Sequence, residues 1–296
     1  MTELIMRSLM FVPGHNEKLL ASASRSDADV LVLDLEDSVQ PEANKTIARK
    51  TIAEWVSSGK LAGFQIYPRV NDRESGHLLR DMQALTIDGV DGFVYPKSRT
   101  GQDVYFFDKL LETIEYEKNI PVGTFKIIPL IETAGAVVNS QDICRASRRV
   151  IAIAFGCEDF VSDLEGIHDH EGLSIFTPRA LIALAARANN VIPIDTVHIN
   201  VHDLDDLEQN LILAKNLGYE GMLVLHPKEL PLVHQHYTPT RQEFEDALEM
   251  LRLYDESQKE GKGVAVKDGK FIGPPMVIAA KKVIAKMQLI EKRKDL

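Results

Sequence analysis

Eight short apolar runs recur along residues 8–226, each ending at or just before a chemically active side chain, and they constrain the fold more than any other feature. They read SLMFVP at 8–13, VLVLDLE at 30–36, FQIYPR at 64–69, GFVYPK at 92–97, KIIPLIE at 126–132, VIAIAFG at 150–156, TVHIN at 196–200 and GMLVLH at 221–226. The sixth continues through Cys157 and Glu158 to Asp159. The runs alternate with segments of helical pattern, and repeated strand–helix alternation implies a parallel sheet. Eight such units fit a closed α/β TIM (β/α)8 barrel better than an open doubly wound sheet, which gathers ligands only near its switch point. In a barrel all the C-terminal strand ends meet at one face, where such folds carry their active sites. One arginine, one lysine, one histidine and several carboxylates converge there, a pattern that reads as an enzyme.

Helices are expected at 16–26, at 41–57 with Pro41 in the first turn, at 76–85, 103–118 and 136–146, at 177–188 with Thr177 as cap and Pro178 at the first position, and at 203–217, stopping at Gly218. After His226 the character changes. A charged amphipathic helix is expected at 241–259, a glycine-rich hairpin or lid at 261–269, and a last helix at 276–292 behind Pro274 and Pro275. The chain thus divides into a barrel catalytic domain over 1–240 and a helical extension over 241–296, which would cover the site or pack on a neighbouring subunit.

The length of 296 residues suffices for one large α/β domain plus an extension. A formal net charge of −10 and the lack of a basic stripe argue against nucleic acid as a partner. No apolar run approaches the roughly 18–20 residues of a membrane span, and residues 1–9 are too short and mixed for a secretory signal. Cys144 and Cys157 lack metal-ligand spacing and read as free thiols, so a cytoplasmic location is expected. The stretch from Gly261 has the wrong spacing for a phosphate-binding loop, and neither a Gly-x-Ser-x-Gly elbow nor a His-Glu-x-x-His motif occurs.

Glu132 and Asp159 close the fifth and sixth runs. A carboxylate pair without a histidine or cysteine cluster suits magnesium, with manganese accepting the same oxygens. The plainer reading makes each carboxylate a cap of the next helix. Arg69 closes the third run, and its planar fork suits a substrate carboxylate; otherwise it is a structural partner of Glu36 or Asp37. Alternation points Asp34 and Glu36 to one side and Leu35 to the other. Acids packed so closely repel unless cations or metal-bound waters share them, so Glu36 and Asp37 read as groups that orient those waters. His226-Pro227 closes the eighth run, where a lone histidine is as often a satisfied structural residue. Lys97 and Lys18 would either meet phosphates or stay solvated.

At these residues the chain resembles the citrate lyase β-subunit-like members of the HpcH/HpaI aldolase superfamily, relatives of malyl-CoA and citramalyl-CoA lyases. The matching pieces are RSLMFVPG at 7–14, LDLEDSV at 33–39, PRVN at 68–71, YPK at 95–97, PLIETAG at 129–135, FGCED at 155–159 and LHP at 225–227, in family order. The resemblance implies a TIM barrel, a magnesium-dependent carbon–carbon lyase, coenzyme A as part of the substrate, and a homo-oligomer, a trimer or hexamer. It places the metal on Glu132 and Asp159, a 2-oxo acid carboxylate on Arg69, and the thioester and coenzyme A near Pro13, Gly14, His226 and Pro227. One departure stands out. Lyases of the family tend to carry a tail aspartate, in a pattern like Gly-Lys-x-x-Asp-x-Pro, that reaches a neighbouring subunit's site as acid/base. Here GKFIGPP at 269–275 puts Gly273 at that place, with Asp268 five positions back.

The expected reaction is cleavage of a β-hydroxy acyl-CoA, such as citryl-, malyl- or citramalyl-CoA, to acetyl-CoA and a 2-oxo acid. Arg69, Glu36 and Asp37 form the expected catalytic set, with the last two holding water in place of the missing aspartate. Gly273 keeps two alternatives open: a CoA-independent 2-oxo acid aldolase, and a subunit that binds oxo acid and metal without turnover.

Overall fold

The computed structural model describes residues 4–167, 172–259, 265–267 and 270–294. Its strands β1 (Ser8–Pro13), β2 (Val30–Asp34), β3 (Gln65–Ile66), β4 (Gly92–Tyr95), β5 (Lys126–Ile131), β6 (Ala152–Phe155), β7 (Ile192–Asp195) and β8 (Gly221–Val224) form one sheet in the order β3-β2-β1-β8-β7-β6-β5-β4. Every pairing in it is parallel. The two outer strands are joined as well. Asp91 N–H donates to Ile66 O at 2.9 Å, Val94 N–H to Pro68 O at 3.0 Å, and Val70 N–H to Val94 O at 3.3 Å. Pro68 has no N–H to give, so β3 is short, and the ladder resumes at Arg69, which bridges both Asp34 and Val94. The ring is the expected TIM barrel. Leu31, Leu33, Phe93, Ile127, Ile153 and Phe155 are fully buried, as strands covered on both faces require.

Helices α1 (Glu17–Ala23), α2 (Ala43–Ser57), α3 (Leu78–Leu85), α4 (Gly101–Glu117), α5 (Ala134–Val138), α6 (Ser140–Arg145), α7 (Cys157–Asp163), α8 (Leu173–Ala188), α9 (Leu204–Leu217) and α10 (Leu230–Tyr237) alternate with the strands. Four expectations need correction. Pro41 stands outside α2, which starts at Ala43 behind Glu42, rather than in its first turn. The seventh strand is IPID at 192–195, ahead of the TVHIN run; Pro193 disguised it, although its carbonyl still accepts Glu220 N–H at 3.0 Å. The helix expected at 136–146 is two short ones that break at Asn139. The helix expected to be capped by Thr177 starts at Leu173, because burial of Ile175 extends its apolar face forward. Pro178 lies inside that helix and forfeits one backbone hydrogen bond there.

The chain divides into two compact units, Met6–His234 and the pair of segments Met1–Ile5 and Gln235–Leu296. The first of these units ends at His234. In the second unit α11 (Arg241–Lys259) packs on α12 (Pro274–Lys294), with Ile272 and Val277 buried against Met250, Leu251, Leu253 and Tyr254. The strands β9 (Ala265–Lys267) and β10 (Lys270–Ile272) pair antiparallel, and the rest of the expected hairpin, Asp268 included, lies outside the described residues. No helix among the described residues is long and apolar enough to cross a membrane.

Candidate active site at the barrel mouth

The mouth is organised around Arg69, on the chain that continues β3. Its Nε and Nη2 donate to the two oxygens of Asp34, at 2.6 and 2.8 Å. Nη1 lies 3.0 Å from Glu36 Oε2 and donates to Asp37 Oδ2 at 3.1 Å. The guanidinium also sits 4.8 Å over the Phe11 ring. The expected fork is therefore closed on Asp34, and Nη1 is met by Glu36 and Asp37. Asp34 is saturated: it also accepts Glu36 N–H and Ser38 N–H, each at 3.0 Å, and the Ser38 hydroxyl. Burial works against its ionisation, yet the charge and hydrogen bonds of Arg69 hold its carboxyl below the usual range. Asp34 and Glu36 both reach Arg69, although β2 ends at Asp34 and Glu36 lies beyond it; the pairing of Arg69 with Asp34 was not read from the sequence.

Glu36 is 4% exposed and lies between two cations, Arg69 and Lys97, whose Nζ is 3.1 Å from Oε1. Both contacts are ion pairs without hydrogen-bond alignment. Burial dominates, the neighbouring Asp37 adds to it, and the carboxyl is pushed up to about 7 against the pull of both cations. Lys97, at φ 50° just beyond β4, also donates to Asp72 Oδ2 at 3.3 Å. Its role as a partner of Glu36 was missed; its place at the end of a barrel strand was the available signal. Lys18 is exposed on the first turn of α1.

Glu132 follows β5 directly and is 2% exposed. Burial first, then the charge of Glu36, push its carboxyl up to about 8, opposed by the Lys97 N–H that donates to Oε2 at 2.8 Å. Oε1 accepts no hydrogen bond among the described residues. Gly156 makes room for it, since a Cβ there would stand 2.7 Å from Glu132 Cγ. Asp159 is exposed and lies in the first turn of α7 rather than at a strand end; burial and then the charge of Asp37 raise its carboxyl. Asp34, Glu36, Asp37, Glu132 and Asp159 outnumber Arg69 and Lys97 in this mouth. A hard divalent cation with oxygen ligands fits that surplus, and Glu132, with one oxygen that accepts no hydrogen bond among the described residues, and the exposed Asp159 fit its donor set.

Gly14 follows β1, and its N–H donates to Asp34 O at 2.9 Å. A Cβ there would stand 2.7 Å from that same oxygen, so only glycine allows the approach. The Gly14 N–H is therefore occupied within the chain. At β8, Glu229 Oε2 accepts the N–H of Leu225 and of His226, at 3.0 and 2.9 Å. His226 Nδ1 accepts Lys228 N–H at 3.1 Å, which places the ring proton on Nε2, a donor without an acceptor among the described residues. Pro227 opens the short turn that this cap fixes.

Comparison with known proteins agrees with this geometry. The family model HpcH/HpaI aldolase/citrate lyase matches residues 7–227. The citrate lyase subunit beta of Haemophilus influenzae is 31% identical over 280 residues, 95% of this chain and 96% of that protein. The mitochondrial citramalyl-CoA lyase of Rattus norvegicus is 27% identical over 290 residues, 94% of this chain and 85% of that protein. A solved citrate lyase beta subunit from M. tuberculosis, complexed with oxaloacetate and magnesium, is 25% identical with a TM-score of 0.66, covering 80% of this chain and 99% of that one. A match that runs from Arg7 to Pro227 takes in all eight barrel strands and every mouth motif, and with it the chain belongs to the HpcH/HpaI aldolase/citrate lyase family of carbon–carbon lyases.

Proposed function

We propose that the chain is a magnesium-dependent lyase that cleaves a β-hydroxy acyl-CoA of the citryl, malyl or citramalyl type to acetyl-CoA and a 2-oxo acid. The observation that carries this reading is the buried Glu36 carboxyl held between Arg69 and Lys97, beside the Glu132 carboxyl, whose Oε1 accepts no hydrogen bond among the described residues. Glu132 and Asp159 would hold the magnesium, which when bound supplies Lewis-acid polarisation of the substrate oxygens. Arg69 binds the oxo-acid carboxylate through its Nη1–Nη2 edge, where that carboxylate takes the place of the exposed Asp37 on Nη1, because Asp34 holds the other edge and fixes the guanidinium plane. Glu36 Oε accepts the substrate hydroxyl proton; the C–O bond becomes a carbonyl, the adjacent carbon–carbon bond breaks, and the electron pair goes to the thioester enolate. The same proton returns from Glu36 to the enolate carbon to give the acetyl methyl group. A carboxyl poised at about 7 suits both directions of that transfer. Lys97 keeps Glu36 in place, and Asp37 shares Arg69 from the solvent side. The free Nε2–H of His226 and the Pro13-Gly14 and Pro227 turns are the proposed thioester and coenzyme A contacts. A trimeric or hexameric assembly and a cytoplasmic location complete the proposal.

Gly273 favours a second reading, since it carries no titratable side chain where lyases of the family place an aspartate. In that reading the chain cleaves a CoA-free hydroxy acid, or binds oxo acid and metal without turnover. Incubation with magnesium and malyl-, citramalyl- and citryl-CoA, followed by mass spectrometry of the products, tests the choice. Acetyl-CoA and a 2-oxo acid that vanish in Glu132→Ala support the lyase. Silence across the panel, with oxo-acid binding retained, supports the alternative.

A further inference from the structure

Behind the mouth, on the α2 side, lies a polar chain that no step above uses. Lys45, on α2, is 8% exposed, and its Nζ donates to Leu35 O at 3.0 Å, to Glu36 O at 3.1 Å and to Asn71 Oδ1. An ammonium group has three N–H donors, and all three are used. Two of the acceptors are the peptide carbonyls on either side of the Glu36 nitrogen and carboxyl-bearing carbon; the third belongs to the segment that carries Arg69. Asn71 is in turn fixed twice, by N and Nδ2 both donating to Asp81 Oδ2, at 2.8 and 2.7 Å. Asp81, fully buried on α3, accepts Arg49 Nε on its other oxygen at 2.7 Å. Arg49 Nη2 lies 2.8 Å from His77 Nδ1, and a guanidinium can only donate, so Nδ1 accepts and Nε2–H points to Glu42 Oε1 at 3.0 Å.

We propose that Lys45 is a positioning residue, which clamps the β2 and β3 mouth segments to each other through three hydrogen bonds and so holds the Glu36 carboxyl against Arg69. Burying an ammonium group on neutral acceptors is unfavourable compared with an apolar side chain of the same length, so fold stability alone does not call for it. What the charge achieves is geometric. Leu35 O and Glu36 O are turned toward α2, which leaves the Glu36 side chain turned the opposite way, into the mouth. Asn71 passes the same constraint to the Arg69 segment, and Asp81 anchors Asn71 on a helix. This inference rests on the reading of Glu36 and Arg69 as the working groups.

The test is Lys45→Met, which keeps the length and removes the donors, compared with wild type and Glu36→Gln. Amide hydrogen exchange is read at 35–38 and 69–72 against the β2 core at 30–33, and kcat and KM are read on the acyl-CoA panel with magnesium. Positioning predicts exchange about tenfold faster in both mouth segments with the core unchanged. It also predicts a kcat about a hundredfold lower with KM changed by less than about threefold. Unchanged exchange at both segments, or acceleration shared equally by the core, overturns the proposal. Should Lys45→Met not fold, Asn71→Ala is read the same way at 69–72. The two levels separate cleanly: a fully active Glu36→Gln removes the mechanistic reading, whereas a crippled Glu36→Gln beside a Lys45→Met with wild-type kcat removes only the positioning role.

Discussion

Asp34 closes the Nε–Nη2 edge of Arg69 with bonds of 2.6 and 2.8 Å, and so decides which edge of the guanidinium a substrate can reach. Both partners are more than nine-tenths buried, at 1% and 8% exposure. Breaking such a pair leaves an uncompensated charge inside, so Asp34→Ala is expected to lose about 3–5 kcal/mol in urea unfolding. Replacing both partners by apolar residues, Asp34→Leu with Arg69→Met, should recover only part of that stability, because the Glu36 and Ser38 N–H groups and the Ser38 hydroxyl still lose their acceptor, while activity stays lost. Recovery of activity in the double variant would show that Arg69 does not bind substrate.

Glu36→Gln keeps the size of the side chain and removes its proton transfer. Turnover should fall by about a hundredfold or more. Thermal stability at alkaline pH should hold or rise, because burial is the largest influence on this carboxyl and disfavours its charged form. Steady-state kinetics and thermal unfolding of the same preparation check both halves. Unchanged turnover would remove Glu36 from the chemistry.

The barrel was legible because each strand's apolar run is short, is bounded by polar residues and alternates with a helical segment. The one misplaced strand, Ile192–Asp195, contains a proline, and strand propensity favoured the β-branched run that follows it. At the site, Arg69, Glu36 and Glu132 were legible from their places at strand ends. Their partners were less so. Alternation says that Asp34 and Glu36 share a side, but which of them Arg69 grips depends on the depth of β3 in the ring. Lys45 was out of reach, since it sits mid-helix in α2, and only the packing of that helix turns it toward Leu35 O and Glu36 O.

The metal-free protein should lose stability as the pH rises. Glu36 and Glu132 stand at about 7 and about 8 in the folded chain, against an ordinary value of 4.5. Folding therefore raises their proton affinity, and the associated stability is complete below the unfolded value and lost as pH climbs through 7 and then 8. Unfolding in EDTA should show a lower Tm at about pH 8.5 than at about pH 6. Magnesium competes with the proton on Glu132, so its stabilising increment should be larger at the higher pH and absent in Glu132→Gln. An increment of equal size at both pH values would place the metal elsewhere.

Gly273→Asp tests whether the tail lacks a proton carrier that the reaction needs. Nothing in the fold of the second unit forbids the side chain. A Cβ at this position would meet only Pro275 Cδ at 3.8 Å, and the residue does not occupy the left-handed region. Its carbonyl accepts Met276 N–H at 3.0 Å and Val277 N–H at 3.2 Å, so it stands at the start of α12, where aspartate is a good cap. Relative to glycine the gain in stability should be only a few tenths of a kcal/mol, so a change in activity would not be a folding effect. If Glu36 carries the proton, kcat on the acyl-CoA panel should stay within about twofold of wild type, since a second base adds nothing to a transfer already made. A gain of tenfold or more would mean that the natural chain is held short of turnover by its tail, and that its barrel binds oxo acid and metal in readiness for a base it does not itself possess.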